Sequence, residues 1–265
     1  MIVPSYEVYA IKYGERMGTR GGMFVLGEPD DTPLQMDYFV WAVRNAERTV
    51  VVDAGYDREE GERRGRTFLR CPADGLRLIG IDPAKVQDVI ITHMHYDHSG
   101  NLTLFPNARF HIQQEELAYI TGPAMTHRTL RHSFLVDDVL DMVRLVYADR
   151  VVFHAGDDEI APGITVHHIN GHARGLQAVN VHTQRGWVLI ASDTAHYYDS
   201  FVKELPFQTH ENMFQMLEGF RRIRSLAPSD AHIIPGHDSA VLSRYPAPSP
   251  DLAGIVARLD FDPSE

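Results

Sequence analysis

An apolar strand candidate that runs straight into four metal-ligand side chains constrains this sequence more than any other feature. Residues 88–92 read Asp-Val-Ile-Ile-Thr, and His93-Met94-His95-Tyr96-Asp97-His98 follows at once. Alternate residues of extended chain share a face, so His93 and His95 leave the strand end pointing the same way. Asp97 and His98 come after the chain bends and aim at a neighbouring point. Two ligand pairs side by side suit two cations rather than one, and hydrolytic metal pairs sit about 3.5–4 Å apart. Burying so many polar groups without partners would be costly, which argues against a merely structural role.

Each divalent ion takes three or four protein ligands, so the segment needs help from elsewhere. His172 follows the strand candidate 164–169, Asp193 ends the run Trp-Val-Leu-Ile-Ala-Ser, and His237 follows Ile233-Ile234-Pro235-Gly236. All three lie at C-terminal ends of strand candidates, beside a glycine or a turn, where strand ends converge on one rim. A lone histidine after a strand is more often structural; the set carries the argument. Of the 15 histidines, His111, His127, His132, His154, His182, His210 and His232 have no ligand context. His167 and His168 are expected to be structural. His196, three residues after Asp193, is placed to enter the pocket.

Periodicity predicts strands over residues 6–13, 37–43, 49–53, 88–92 and 108–112, then 150–154, 164–169, 178–183, 187–192 and 231–235. Helical spacing marks residues 113–120, 136–146 and 211–226, with a short helix expected over 251–259 in the tail. In 136–146 the apolar stripe is 136, 139, 140, 143 and 146. In 211–226 the stripe of Met213, Phe214, Leu217, Phe220, Ile223 and Leu226 is expected to be core. No linker or repeat interrupts the pattern, so residues 1–265 are expected to form a single domain, a layered α/β sandwich.

The chain is 44% hydrophobic and carries a net charge of -11. That length and composition suffice for a large core, so metals are not needed as staples. The acidic balance argues against a nucleic-acid partner. No apolar run approaches the roughly 18 residues of a membrane span, and residues 1–16 lack a signal core, so no membrane association is expected. The single cysteine, Cys71, is expected to be structural and fits a cytoplasmic location. The Gly-rich segment 17–23, from Met17 to Met23, could be a mobile lid or an ordinary exposed loop. It is not a phosphate loop, and Arg20 within it is a weak candidate for meeting a substrate carboxylate.

With these residues in view, the chain resembles the metallo-β-lactamase superfamily, whose signature is His-x-His-x-Asp-His followed by a later His, an Asp and a last His. The resemblance runs from about Thr49 to His237, and Asp53-Ala54-Gly55 resembles the Asp-x-Gly element beneath the site in that family. It implies a four-layer αββα sandwich with two divalent metal ions at one edge. It assigns His93, His95 and His172 to the first metal, Asp97, His98 and His237 to the second, and Asp193 to both. Zinc is expected; iron, cobalt and manganese also suit the ligands.

Within that family the chain is most similar to the N-acyl-homoserine lactonases and small-ring lactonases, including those acting on 4-pyridoxolactone. The full ligand set, the length, the methionines of segment 17–23 and Phe68-Leu69-Arg70-Cys71-Pro72 carry this likeness. It implies attack of metal-bound hydroxide on a lactone carbonyl, with Asp97 moving a proton to the leaving oxygen. Quorum-signal lactonases commonly have a tyrosine oxyanion donor three residues after the bridging Asp. Here that position is His196, followed by Tyr197 and Tyr198, and the donor is left open among the three. A homodimer is also left open. The alternatives are a glyoxalase II-like thioesterase, against which the short Pro-broken tail counts, and a small-molecule phosphodiesterase. A non-catalytic metal-binding protein fits poorly with an intact ligand set.

Overall fold

The N-terminal alternating run builds an extended hairpin that anchors the first sheet. The computed structural model describes residues 3–25 and 29–264. β1 (Glu7–Thr19) pairs antiparallel with β2 (Pro33–Arg44), with a register slip between Lys12 and Gly14. β3 (Thr49–Val52) returns beside β2, and β4 (Thr67–Phe68) pairs with β1 at Gly14 and Glu15. β5 (Asp88–Ile90), β6 (Arg109–Gln113) and β7 (Val151–His154) then continue from β3 in parallel.

The second sheet is an antiparallel run of β8 (Asp158–Ala161), β9 (Ile164–His168), β10 (Gln177–Thr183) and β11 (Gly186–Ser192). β12 (Ile233–Pro235) adds to β11 in parallel. β13 (Val256–Arg258) crosses to the first sheet and pairs with β1.

The two sheets face each other because each strand alternates. Val8, Trp41, Val52 and Ile90 from one meet Val166, Val179, Val188 and Ile190 from the other, all fully buried. Each such side chain contributes about 1.5–3 kcal/mol of burial. The opposite faces carry helices. The first sheet is flanked by α1 (Arg20–Met23), α2 (Arg58–Arg63), α3 (Pro72–Leu78), α4 (Tyr96–Ser99), α5 (Gln114–Ile120) and α6 (Val136–Tyr147). Leu76 and Met142 of these helices share a core with Val51, Val89 and Phe110. The second sheet is followed by α7 (Tyr198–Val202), α8 (Met213–Leu226) and α9 (Ala240–Arg244). Met216, Phe220 and Ile223 of α8 join Ala178, Leu189 and Ala191. This is the expected αββα order of layers.

Four local expectations fail in whole or in part, each for a packing reason. The tail is not a helix over 251–259: one 3₁₀ turn at Pro250–Leu252 leads into β13, which buries Val256 and Ala257 against the open edge of β1. Segment 17–23 is not an irregular loop, although Met17 is 64% exposed and Gly22 lines the cavity described below. β1 continues through Met17 to Thr19, α1 follows, and Met23 and Phe24 are buried. In α8, Phe220 and Ile223 are core as expected, with Leu217 and Leu226 packed against it, but Met216 joins them and Phe214 is 70% exposed on the face of Glu218 and Arg221. In α6 the inward side chains are Asp138 and Met142, and Val136 and Leu140 face solvent. No helix among the described residues is long and apolar enough to cross a membrane.

Asp138 makes a stability prediction. Burial, then the nearby Glu60, Asp57, Asp141 and Asp137, push its carboxyl up to about 7, and its Oδ2 has no hydrogen-bond partner. A carboxyl whose pKa is raised on folding stabilises the native state at low pH. That contribution is lost as pH rises from about 4 through about 7. Asp138→Asn removes the buried charge, so at pH 8 it should stabilise the protein by about 1–4 kcal/mol. Thermal melts at pH 8 and pH 3 check this: the gain should be present at the first and vanish at the second. An equal shift at both would mean that ionisation of Asp138 is not the cause.

Candidate metal centre

Four strand ends deliver the candidate ligands to one rim. The chain leaving β5 places His93 and His95 before α4, and the first turns of α4 carry Asp97 and His98. Tyr13 Oη donates to the Asp97 carbonyl at 2.7 Å and ties this turn to β1. His172 follows β9, Asp193 follows β11 and His237 follows β12. All seven are buried. Ligand atoms of His93, His95, His172 and Asp193 lie within 4.8 Å of one another, as do those of Asp97, His98 and His237.

Asp193 joins the two groups with its two oxygens. Oδ2 lies 3.1 Å from His172 Nε2 and 3.9 Å from His93 Nε2. Oδ1 lies 3.0 Å from His237 Nε2 and 3.2 Å from His98 Nε2. Burial alone would lift the Asp193 pKa, but the imidazoles of His237, His196, His98 and His172 hold it well below the usual range. Burial, with the neighbouring histidines, depresses His93 and His95 far below normal and favours the neutral form that metals bind.

The outer ring nitrogens are already committed. His98 Nδ1 donates to Asp53 Oδ2 at 2.7 Å, His172 Nδ1 to the Thr209 carbonyl at 2.8 Å, and His237 Nδ1 to the Asp37 carbonyl at 2.8 Å. Each partner accepts only, so Nδ1 carries a proton and Nε2 turns inward. At His98 and His237 burial is outweighed by the carboxylates, Asp193 first, which raise both pKa values and favour a proton on Nε2 where a cation would otherwise sit. His93 Nε2 and His98 Nε2 are buried with no hydrogen-bond partner at all. His172 Nε2 also lies 2.9 Å from His95 Nδ1. Imidazole nitrogens and carboxylate oxygens converging on one buried spot fit cations, and an all-nitrogen-and-oxygen set fits divalent first-row ions.

A second layer orients the ligands, as metal sites require. Asp53 accepts from Thr92 N at 2.7 Å and Thr92 Oγ1 at 2.8 Å as well as from His98, and burial raises its pKa. Its φ of 63° is left-handed, a strained conformation for a non-glycine residue. Glu116, fully buried at the start of α5, accepts from Met94 N and Gly175 N, both at 2.8 Å. It thereby ties the loop of His95 to the loop of His172. Asp53 is visible in the sequence; Glu116 carries no sequence signal.

The cluster opens into a cavity of about 210 Å³ lined by Tyr38, Tyr96, Arg16, Arg66, His196 and Phe207 together with His95, Asp97, His172, Asp193 and His237. An adjoining hollow of about 350 Å³ is lined by Phe134, Leu130, Tyr119, His132, His210 and Gln208. His132 and His210 thus reach the approach to the site although nothing in the sequence marks them. His196 lies where expected. Its ring stacks on Phe207 with centroids 3.7 Å apart, its Nε2 is 3.0 Å from Asp193 Oδ2, and burial drives its pKa down to about 3.

Tyr197 and Tyr198 do not line either hollow. Tyr197 packs against Phe24, and Tyr198 lies under the Arg244 guanidinium. The start of α7 turns both away, and the phenolic hydroxyls at the cavity are those of Tyr38 and Tyr96, 3.3 Å apart. Arg20 is likewise removed from the site, paired with Asp30 and Asp199. Cys71 is a part-buried free thiol outside the cavity.

A family model described as the metallo-beta-lactamase superfamily matches residues 36–242. The N-acyl homoserine lactonase of a Bacillus species is 25% identical over 167 residues, covering 62% of this chain and 60% of the relative. The match thus spans about three-fifths of that relative's own length. The crystal structure of a quorum-quenching N-acyl homoserine lactone lactonase aligns with a TM-score of 0.75 at 20% identity, over 89% of this chain and 94% of the other. A dizinc quorum-quenching lactonase in complex with an N-hexanoyl-L-homoserine product aligns with a TM-score of 0.71 at 14% identity, over 89% of each chain.

Proposed function

Since this chain belongs to the metallo-beta-lactamase superfamily, we propose that it is a dinuclear metal hydrolase that opens a lactone ring. The observation that carries the proposal is the Asp193 carboxylate, with one oxygen turned to each of two buried ligand groups. The names of the most similar relatives support the lactone. We propose zinc as the metal, by analogy with the dizinc structure, and residues 1–265 as a single hydrolase domain working in the cytoplasm.

His93, His95, His172 and Asp193 Oδ2 would hold one ion, and Asp97, His98, His237 and Asp193 Oδ1 the other. Such a pair, when bound, lowers the pKa of a water and polarises a carbonyl oxygen. The protein's own groups supply the rest. His196, clamped on Phe207, lines the cavity wall with Nε2 3.0 Å from Asp193 Oδ2, and this N–H is the one it would offer to an oxygen on which charge develops. Asp97, at the rim of the cluster, carries a proton to the ring oxygen as it leaves. Tyr96 and Tyr38 place two hydroxyls on the same wall. We leave Tyr197 out of this scheme because its ring lies behind the wall, against Phe24.

Proton release against a substrate panel tests the proposal. It should include short- and long-chain acyl-homoserine lactones, plain γ- and δ-lactones, an aromatic lactone, a glutathione thioester and a phosphodiester. Lactone opening that is abolished by a chelator and restored by zinc is the expected result. Turnover of the thioester or the phosphodiester with every lactone intact would overturn the substrate class.

A further inference from the structure

Two arginines on the cavity wall have no carboxylate partner. Arg16, half-buried on β1, directs Nε to Met36 Sδ at 3.2 Å and Nη2 to Met23 Sδ at 3.1 Å. Thioether sulfur is a weak acceptor, so this guanidinium is held in place without being neutralised. Arg66, also half-buried, donates Nε to Tyr96 Oη at 3.1 Å. Among the described residues neither has a carboxylate oxygen within 4.0 Å, whereas neighbouring Arg64 pairs with Glu60 and Arg20 with Asp30 and Asp199. Asp97, which shares the cavity, lies 3.8 Å from both His98 Nε2 and His237 Nε2 and acts on Arg66 only through space.

Abundance of base does not explain the pair. The chain has 36 acidic residues against 25 basic ones, and most arginines near a carboxylate are bonded to it. A half-buried charge left unpaired costs free energy, which is offset where a ligand brings the opposite charge. The guanidinium fork matches a carboxylate in two parallel hydrogen bonds. Outside the pair, Arg128 and Arg131 line a further hollow with Arg64 and Arg66. They extend one sign of charge toward solvent, as expected of a cleft that gathers anions.

We propose that Arg16 and Arg66 form an anion seat, and that the preferred substrate is a small lactone bearing a carboxylate. This rests on the lactonase reading and narrows it away from neutral lactones with long acyl chains. Water adds to the acyl carbon, the acyl C–O bond of the ring breaks, and the ring oxygen departs as an alcohol with one proton. A monoanionic lactone thus becomes a hydroxy-dicarboxylate, with one proton released. The substituent carboxylate stays on the two guanidiniums and the Tyr96 hydroxyl throughout, so the seat acts by positioning and takes no proton.

The test uses the metal-loaded protein and a matched pair, 5-oxotetrahydrofuran-2-carboxylate and its neutral carboxamide. Wild type should favour the carboxylate at least tenfold in kcat/KM, chiefly through KM. Arg16→Gln and Arg66→Gln should each cut that ratio about tenfold, while Arg66→Lys should keep part of it. Calorimetry with glutarate gives a readout independent of turnover, and its Kd should rise at least tenfold in each Gln variant. Equal opening of acid and amide by wild type, or preference for a long-chain acyl-homoserine lactone over the acid, would overturn the seat with the lactonase intact. If no lactone is opened, the lactonase reading fails instead. Glutarate affinity unchanged in both Gln variants would then overturn the seat as well.

Discussion

Asp193→Asn should lower kcat by about 10³-fold or more and reduce the bound metal from two ions to one or fewer. The substitution keeps the shape of the side chain and one carbonyl oxygen. It removes the charge and replaces the second oxygen with an NH₂ that can only donate. Whichever way the amide turns, one of the two ligand groups faces a donor where it needs a lone pair. Either His172 Nε2 at 3.1 Å or His237 Nε2 at 3.0 Å meets the amide nitrogen. Both rings have committed Nδ1 outward and cannot flip without losing those bonds. The variant should fold, because an imidazole lone pair accepts readily from an amide. Metal content after dialysis and steady-state rates measure the outcome. A variant that retains two ions and a rate within tenfold of wild type would remove Asp193 from the centre of the proposal.

The chemistry of this site is local in sequence, which is why so much of it can be read there. An apolar strand ending in His93 and His95 fixes their direction, and His172, Asp193 and His237 each follow a strand of their own. Asp53 is legible through its Asp-Ala-Gly setting. What escapes the sequence depends on how separate segments face one another. Glu116 serves two loops only because α5 runs beneath both of them. Arg20 sits among glycines and looks available, yet it is consumed by Asp30 and Asp199, while Arg16, four residues earlier, lines the cavity. Tyr197 and His196 are adjacent, and the start of α7 separates them onto opposite sides of the wall. The tail shows the same limit for the fold. Residues 251–259 have a helical spacing, but the exposed edge of β1 offers hydrogen bonds and burial that a terminal helix could not match. In α6 the apolar stripe is only partly right: Val139 packs on the core, but Asp138 and Met142 are the buried positions and Val136 and Leu140 face solvent.

Gly171→Ala should cost at least about 3 kcal/mol and weaken metal binding as well, although residue 171 touches no candidate ligand atom. Gly171 has a φ of 122°, which disfavours any side chain. A Cβ there would lie 2.4 Å from both the N and Cα of Met216 and 2.9 Å from the Gln215 carbonyl carbon. Those are backbone atoms of α8, so no rotamer change relieves the clash. The same glycine's carbonyl accepts from Glu211 N and Asn212 N, each at 2.8 Å, where Asn212 caps α8. The contact therefore docks the N-terminus of α8 on the loop that aims His172. Separating the two surfaces loosens the helix and swings the imidazole in one movement. Gly65→Ala supplies the control. Its φ is 67° and nothing lies within 4 Å of the added carbon, so it isolates the backbone strain, about 1 kcal/mol. At roughly 2–4 °C per kcal/mol for a domain of this size, the Gly171 variant should melt several degrees below that control. It should also release metal at a lower chelator concentration. Equal melting temperatures for the two variants would mean that α8 yields freely and that the position of His172 is set elsewhere.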